Sequence, residues 1–312
     1  MFAIAEFGSI SRSTSDQFSD RDLLIICSNN SRSKLYASYS EKGYSVTLLY
    51  PSQLLHMQKQ GSLFIQHLKK EANILIDSDC KLSRFLCSCE LTPPSPREIE
   101  RCTESVRFIS GWNSSLELSA WKADFLFCIS RDLLIKSLAT KNIIAFGLES
   151  LEVAVARYFG ITESDFHYLH ILREAKAAYR SNRTIPANTI QAINIWLGVL
   201  GEAFSIELDS VNDSPELGED FSALKSRKYN SPYERLRSLE GVYLIARANG
   251  LTHTDHDLII KHITSPNLYG SSQVRKSHII QNYLHDVVAL LANNHIQPTH
   301  FPLRSASLQM RG

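Results

Sequence analysis

The first ninety or so residues alternate between short apolar runs of strand length and longer segments with helical spacing. Phe2 to Phe7 is a brief apolar run closed by Gly8, which predicts a strand entering a tight turn. Leu23 to Cys27 (LLIIC) is apolar at every position, the pattern of a strand covered on both faces. Lys34 to Lys42 suits a helix that Gly43 is placed to end. Tyr44 to Tyr50 (YSVTLLY) is rich in β-branched and aromatic residues and predicts a third strand. Ser52–Gln60 and Ser62–Ala72 read as helices, the second with Leu63, Phe64, His67 and Leu68 along one side, and Ile74–Ile76 as a last short strand.

The punctuation then changes. Thr92 to Glu98 (TPPSPRE) places three prolines in four positions, which neither a helix interior nor a central strand tolerates. A domain boundary is expected there, with an α/β (α+β) domain over 1–92 and a mainly helical domain over 98–312. The helical spacing predicts Ile99–Ser110, Ser115–Leu138, Ser150–Tyr158, Glu163–Tyr179, Thr189–Phe204, Pro232–Ala248 and Ser277–Asn293. The polar stretch 206–229 is expected to be a long loop that divides the helical part.

Composition narrows the function classes. A formal net charge of +1 gives no broad electrostatic footprint for nucleic acid. No apolar run reaches the roughly 18 residues that span a bilayer, and the start MFAIAEFGSIS lacks the features of a secretory signal, so a cytoplasmic protein without a membrane partner is expected. The six cysteines form no CxxC pair and no Cys/His zinc spacing. Cys27 and Cys128 sit in apolar stretches, Cys80, Cys87 and Cys89 cluster, and reduced thiols are the expected state.

The chemistry concentrates near the start: Gly8-Ser9, ten residues, then Asp20-Arg21-Asp22 running straight into LLIIC. Carboxylates at i and i+2 on a strand point to one face, where both can hold a hard, oxygen-loving Mg2+ that also grips phosphates. The Gly8-Ser9 turn offers close backbone approach, and its N–H groups with the Ser9 hydroxyl can cradle a phosphate. A helix starting near Ser11 to Ser15 would add its positive end. Arg12 is a candidate phosphate contact, and Ser19 orients the loop.

This Gly-Ser, ten-residue, Asp-x-Asp arrangement resembles the nucleotidyltransferase superfamily related to DNA polymerase beta, and in particular its minimal nucleotidyltransferases. Gly61 to Asp77 (GSLFIQHLKKEANILID) is similar to the region after the third strand in such proteins, and Phe125 to Ala139 to part of the accompanying helical bundle. The resemblance implies transfer of a nucleoside monophosphate from an NTP to a hydroxyl of a protein, an RNA or a small molecule, with pyrophosphate released. It implies Asp20 and Asp22 as catalytic metal ligands for Mg2+, and Gly8, Ser9, Arg12 and Ser19 as the nucleotide-binding set. Small members often occur in bacterial toxin–antitoxin or phage-defence modules, which suggests a partner protein from the same module. Active members place a third carboxylate on the next strand, where this chain has Ser45 or Thr47; Glu41, Asp77 and Asp79 lie elsewhere. That departure motivates a second reading, a nucleotide-binding or scaffolding protein that has lost transfer.

Other features take plainer readings. His67 is expected to be a satisfied core histidine, and Lys69 and Lys70 a solvated helix face. Arg131 is expected in an intramolecular ion pair, with a reach toward the nucleotide as the alternative. Arg173, Lys176, Arg180 and Arg183 form a basic stripe, read as a polar face or as a contact for RNA or an acidic partner. His253 to Asp257 (HTDHD) lacks the companions of a metal phosphohydrolase site.

Overall fold

A computed structural model describes residues 2–9, 11, 21–28, 32–112, 116–208 and 232–248, with 253–255 and the single positions 257, 259, 282, 283, 285–287 and 289. The fold is α+β. Strands β1 (Ala3–Phe7), β2 (Asp22–Ile26), β3 (Ser45–Leu49) and β4 (Asn73–Asp77) form one mixed sheet in the order β3-β2-β1-β4. β1 runs antiparallel to β2 and β4, while β2 and β3 are parallel, joined by α1 (Arg32–Glu41). The other helices are α2 (Pro51–Lys59), α3 (Leu63–Glu71), α4 (Lys81–Ser88), α5 (Pro96–Ser110), α6 (Leu116–Ala139), α7 (Leu148–Phe159), α8 (Glu163–Arg180), α9 (Thr189–Phe204) and α10 (Pro232–Ala248).

The continuous apolar run of β2 explains why the sheet is covered on both sides. Leu24 and Ile26 join Ala3, Ala5 and Phe7 in a core with Leu54, Ile65, Leu68 and Leu82 from the helices. Leu23, Ile25 and Cys27 face the other way with Ile4, against Leu35 and Tyr39 of α1. Each fully buried Leu or Ile among these contributes roughly 1.5–3 kcal/mol over leaving it in water.

Two compact units emerge, each made of separate chain segments: Met1–Ile99 with Arg131–Glu163, and Glu100–Ser130 with the described residues from Ser164 onward. The expected elements recur with small changes. α5 begins at Pro96 rather than Ile99, because the Glu98 carboxylate accepts from the Ser95 N–H and hydroxyl, both at 2.9 Å, and Pro is suited to a first helical position. α4 is a helix that the apolar spacing does not predict. Its start is capped by Asp77, whose carboxylate accepts from the Leu82 and Ser83 N–H groups at 2.8 Å and the Ser83 hydroxyl at 2.6 Å. Burial opposes the Asp77 charge, but those donors outweigh it and hold the carboxyl below its ordinary range. The expected helix at 277–293 and most of the 206–229 loop lie outside the described residues.

The second unit carries its own core of Trp121, Phe125, Phe166 and Trp196, all fully buried. A polar seam runs beside it. Asp124, with no exposed surface, accepts from Arg180 at 2.9 and 3.2 Å and pairs with Arg237 at 3.3 Å. Arg237 pairs with Glu240 at 2.7 Å, and the Tyr179 hydroxyl donates to Glu240 at 2.7 Å. Burial is the first cause that pushes Glu240 upward from the ordinary carboxyl range. Of the four stripe residues, Arg180 is tied to the buried Asp124, and Lys176 lies over the Phe127 ring.

Candidate functional site

The site is built from the β1–β2 edge upward. Phe7, the last residue of β1, pairs with Asp22, the first of β2, so the turn after Phe7 begins beside the Asp22 side chain. Gly8 is buried and takes φ +76, a left-handed conformation that L residues rarely adopt. A Cβ on Gly8 would lie 3.0 Å from Asp22 Oδ2, so glycine alone lets the turn backbone come this close to the carboxylate. The Ser11 hydroxyl donates to the Gly8 carbonyl at 2.8 Å and folds the turn back on itself.

Arg21, just before β2, packs against Tyr44. Its guanidinium lies 4.1 Å from the centroid of the Tyr44 ring, and the Tyr44 hydroxyl donates to Glu6 at 2.9 Å. The hydrogen bond to Glu6 comes first among the causes that raise the Tyr44 hydroxyl above its ordinary range, with burial second. Strand alternation then puts Asp22 on the opposite face, shared with Phe7 and Leu24. Ser45 of β3 is the residue in register with Asp22, and Thr47 lies beside Leu24, so no carboxylate of β3 sits next to Asp22. Asp77 is committed to capping α4, and Asp79 is exposed and pairs with Lys81 at 2.7 Å.

The structure thus brings Gly8, Ser9 and Asp22 to one corner of the sheet, while Asp20, Arg12 and Ser19 lie outside the described residues, as does the helix expected from Ser11 to Ser15 beyond Ser11 itself. Among the described residues no group of three or more His, Cys, Asp or Glu side chains is placed to hold a metal ion. Asp22 is the one member of the Asp-x-Asp pair that these residues include, and it supplies oxygen ligands of the kind Mg2+ takes.

Next to the turn lies an open cavity of about 490 Å³ lined by Ser11, Lys70, Glu71, Ala72, Asn73 and Ser150. The sequence gives no sign of what packs around His67 near it. His67 stacks on Phe146 with centroids 4.5 Å apart, meets Phe7 and Phe64 edge-on, and bonds Glu71 at 2.8 Å. This agrees with a satisfied histidine, held in place by aromatic rings on several sides. Lys70 donates to the Ile144 carbonyl and Lys69 to the Cys89 carbonyl, so neither is a merely solvated face. Arg131 donates to the Phe146 carbonyl at 2.8 Å, which ties the loop before α7, and its neighbour Asp132 pairs with Lys136 at 2.7 Å.

The six thiols are free, Cys80 and Cys87 exposed and Cys89 buried. Among the described residues no helix is long and apolar enough to cross a membrane. No protein-family model matches the chain, and no curated protein or solved structure matches it significantly.

Proposed function

We propose that the chain is a metal-dependent nucleotidyltransferase that moves a nucleoside monophosphate from an NTP to a hydroxyl. The observation that carries this reading is the left-handed Gly8 set against the Asp22 carboxylate, so close that a Cβ would lie 3.0 Å from Oδ2 and the carboxylate would have to shift. In this reading Asp22, with Asp20, would hold Mg2+, which would supply charge neutralisation for the triphosphate, and the Gly8-Ser9 backbone would receive the outer phosphates. The protein supplies position: pairing of Asp22 with Phe7 sets its carboxylate beside the turn.

The test is incubation with each of four α-labelled NTPs and Mg2+, with total RNA and with cell lysate as acceptors, beside an Asp20→Ala/Asp22→Ala control. Label on a macromolecule with the wild type alone is the expected result and names the acceptor class. A second reading, a nucleotide-binding or scaffolding protein that regulates a partner from the same module, is favoured by Ser45 standing in register with Asp22 where a carboxylate is absent. Nucleotide binding without label transfer would select it. The toxin–antitoxin or antiviral setting belongs to either reading through that partner.

A further inference from the structure

We propose that the outer edge of β3 is a homodimer interface, where a second copy of this chain pairs its own β3 antiparallel about a two-fold axis at Thr47. The inference stands apart from the nucleotidyltransferase reading and starts from the backbone. The Ser45 N–H donates to the Arg21 carbonyl at 2.9 Å, and the Leu49 carbonyl accepts from the Cys27 N–H at 3.2 Å. Residues 45, 47 and 49 therefore turn their N–H and C=O groups toward β2, and strand alternation turns those of Val46 and Leu48 outward. β3 ends the sheet, and among the described residues only the Arg32 guanidinium reaches these outward groups, at the Leu48 carbonyl 3.2 Å away. A carbonyl has two lone pairs, so Leu48 can accept once more.

Proteins blunt a free strand edge with charges, prolines or bulges, because its unpaired row is a template for another strand. The two edges of this sheet differ in that respect. β4 is blunted: its pairing with β1 skips Leu75, Asp77 lies within it, and Glu71 and Asp79 flank it. β3 has none of these devices. Its register with β2 is unbroken from Asp22↔Ser45 to Ile26↔Leu49, and residues 43–50 hold no charge and no proline.

The pattern fits a second copy. With Thr47 on the axis, Val46 stands opposite the partner's Leu48, and the two exchange both N–H to carbonyl bonds; the symmetry-related pair does the same. Thr47 meets the partner's Thr47, and Tyr44 stands opposite the partner's Tyr50, which is 45% exposed in the single chain. Thr–Thr and aromatic cross-strand pairs are favourable, whereas like charges directly opposite are destabilising. A two-fold axis sets any charge at its centre against its own copy, and β3 carries none. Such pairing joins two four-stranded sheets into one. A short strand pair buries less than a standard interface, so the dimer is expected to depend on concentration.

The experiment is sedimentation velocity of full-length chains over a concentration series: wild type, Thr47→Lys, Thr47→Glu, an equimolar mixture of those two, and Leu75→Lys at the other edge. Wild type and Leu75→Lys are expected to share one monomer–dimer equilibrium. Thr47→Lys and Thr47→Glu each weaken it at least about tenfold, and the mixture recovers it, which misfolded variants could not do. A wild type that stays monomeric throughout leaves β3 to a strand of another protein and overturns the proposal. So do dimers unchanged in the Thr47 variants, a mixture that fails to recover, or a dimer lost in Leu75→Lys. Should the charged variants fail to fold, Thr47→Cys in a Cys80→Ser/Cys87→Ser background decides. The pair on the axis has Cα atoms about 4.5 Å apart, within disulfide reach, so oxidation gives a covalent dimer, and a chain that stays monomeric overturns the interface.

Discussion

At the scale of single residues, the site depends on a glycine whose two constraints can be separated. An alanine at a left-handed position costs about 1–2 kcal/mol from backbone sterics alone. At Gly43, with φ +81 and no atom within 4 Å of where a methyl would sit, that backbone cost is the whole effect. At Gly8 the same cost is joined by a methyl 3.0 Å from Asp22 Oδ2, so the carboxylate must move. Thermal unfolding of Gly8→Ala and Gly43→Ala is therefore expected to show similar losses, while label transfer falls sharply in Gly8→Ala and stays near wild type in Gly43→Ala. Equal activity in the two variants would detach the turn from the chemistry.

At the scale of elements, apolar periodicity is a strong guide wherever one face packs on a core. β2, α9 and α10 lie within a residue of where LLIIC, Thr189–Phe204 and Pro232–Ala248 place them. Elsewhere the signals are not periodic. α4 follows two left-handed residues, Asp79 and Cys80, and is capped by Asp77 from five and six residues upstream, a spacing that no short capping pattern encodes. In α6 Lys122 and Asp124 are fully buried, with partners that come from distant helices and helix ends. The Gly-Ser turn is legible because it is local; the packing around His67 is not, because Phe146 reaches it from far along the chain. α10 offers a test of packing against propensity. Gly241→Ala gains roughly 1 kcal/mol of helix propensity but sets a Cβ 2.5 Å from the Trp121 ring and 2.8 Å from that of Trp112. Overpacking of this kind costs about 1–3 kcal/mol, so chemical denaturation is expected to show net destabilisation; a stabilised variant would show that the tryptophans yield freely.

At the scale of the whole molecule, the sheet unit holds the candidate site and the helical unit holds a buried ionic interior that sets how stability responds to pH. Lys122 donates to the Trp112 carbonyl just beyond the end of α5, yet burial lowers its ammonium to about 8. The unfolded chain then binds more protons than the folded one between that value and the ordinary lysine range, so this group makes stability rise with pH across that window. The gain approaches about 3 kcal/mol if the folded group is neutral by the top of the window. Urea unfolding in that range should show the rise in wild type and not in Lys122→Met, and parallel pH profiles would contradict it. The proposed nucleotide chemistry belongs to the other unit, and its most direct test counts pyrophosphate released per acceptor labelled, with Mg2+ and the preferred α-labelled NTP, in wild type and Asp22→Asn. One pyrophosphate for each label transferred is expected, with loss of both in Asp22→Asn; label transfer that persists in Asp22→Asn, or nucleotide consumed without pyrophosphate, would contradict a nucleotidyltransferase built on this turn and carboxylate.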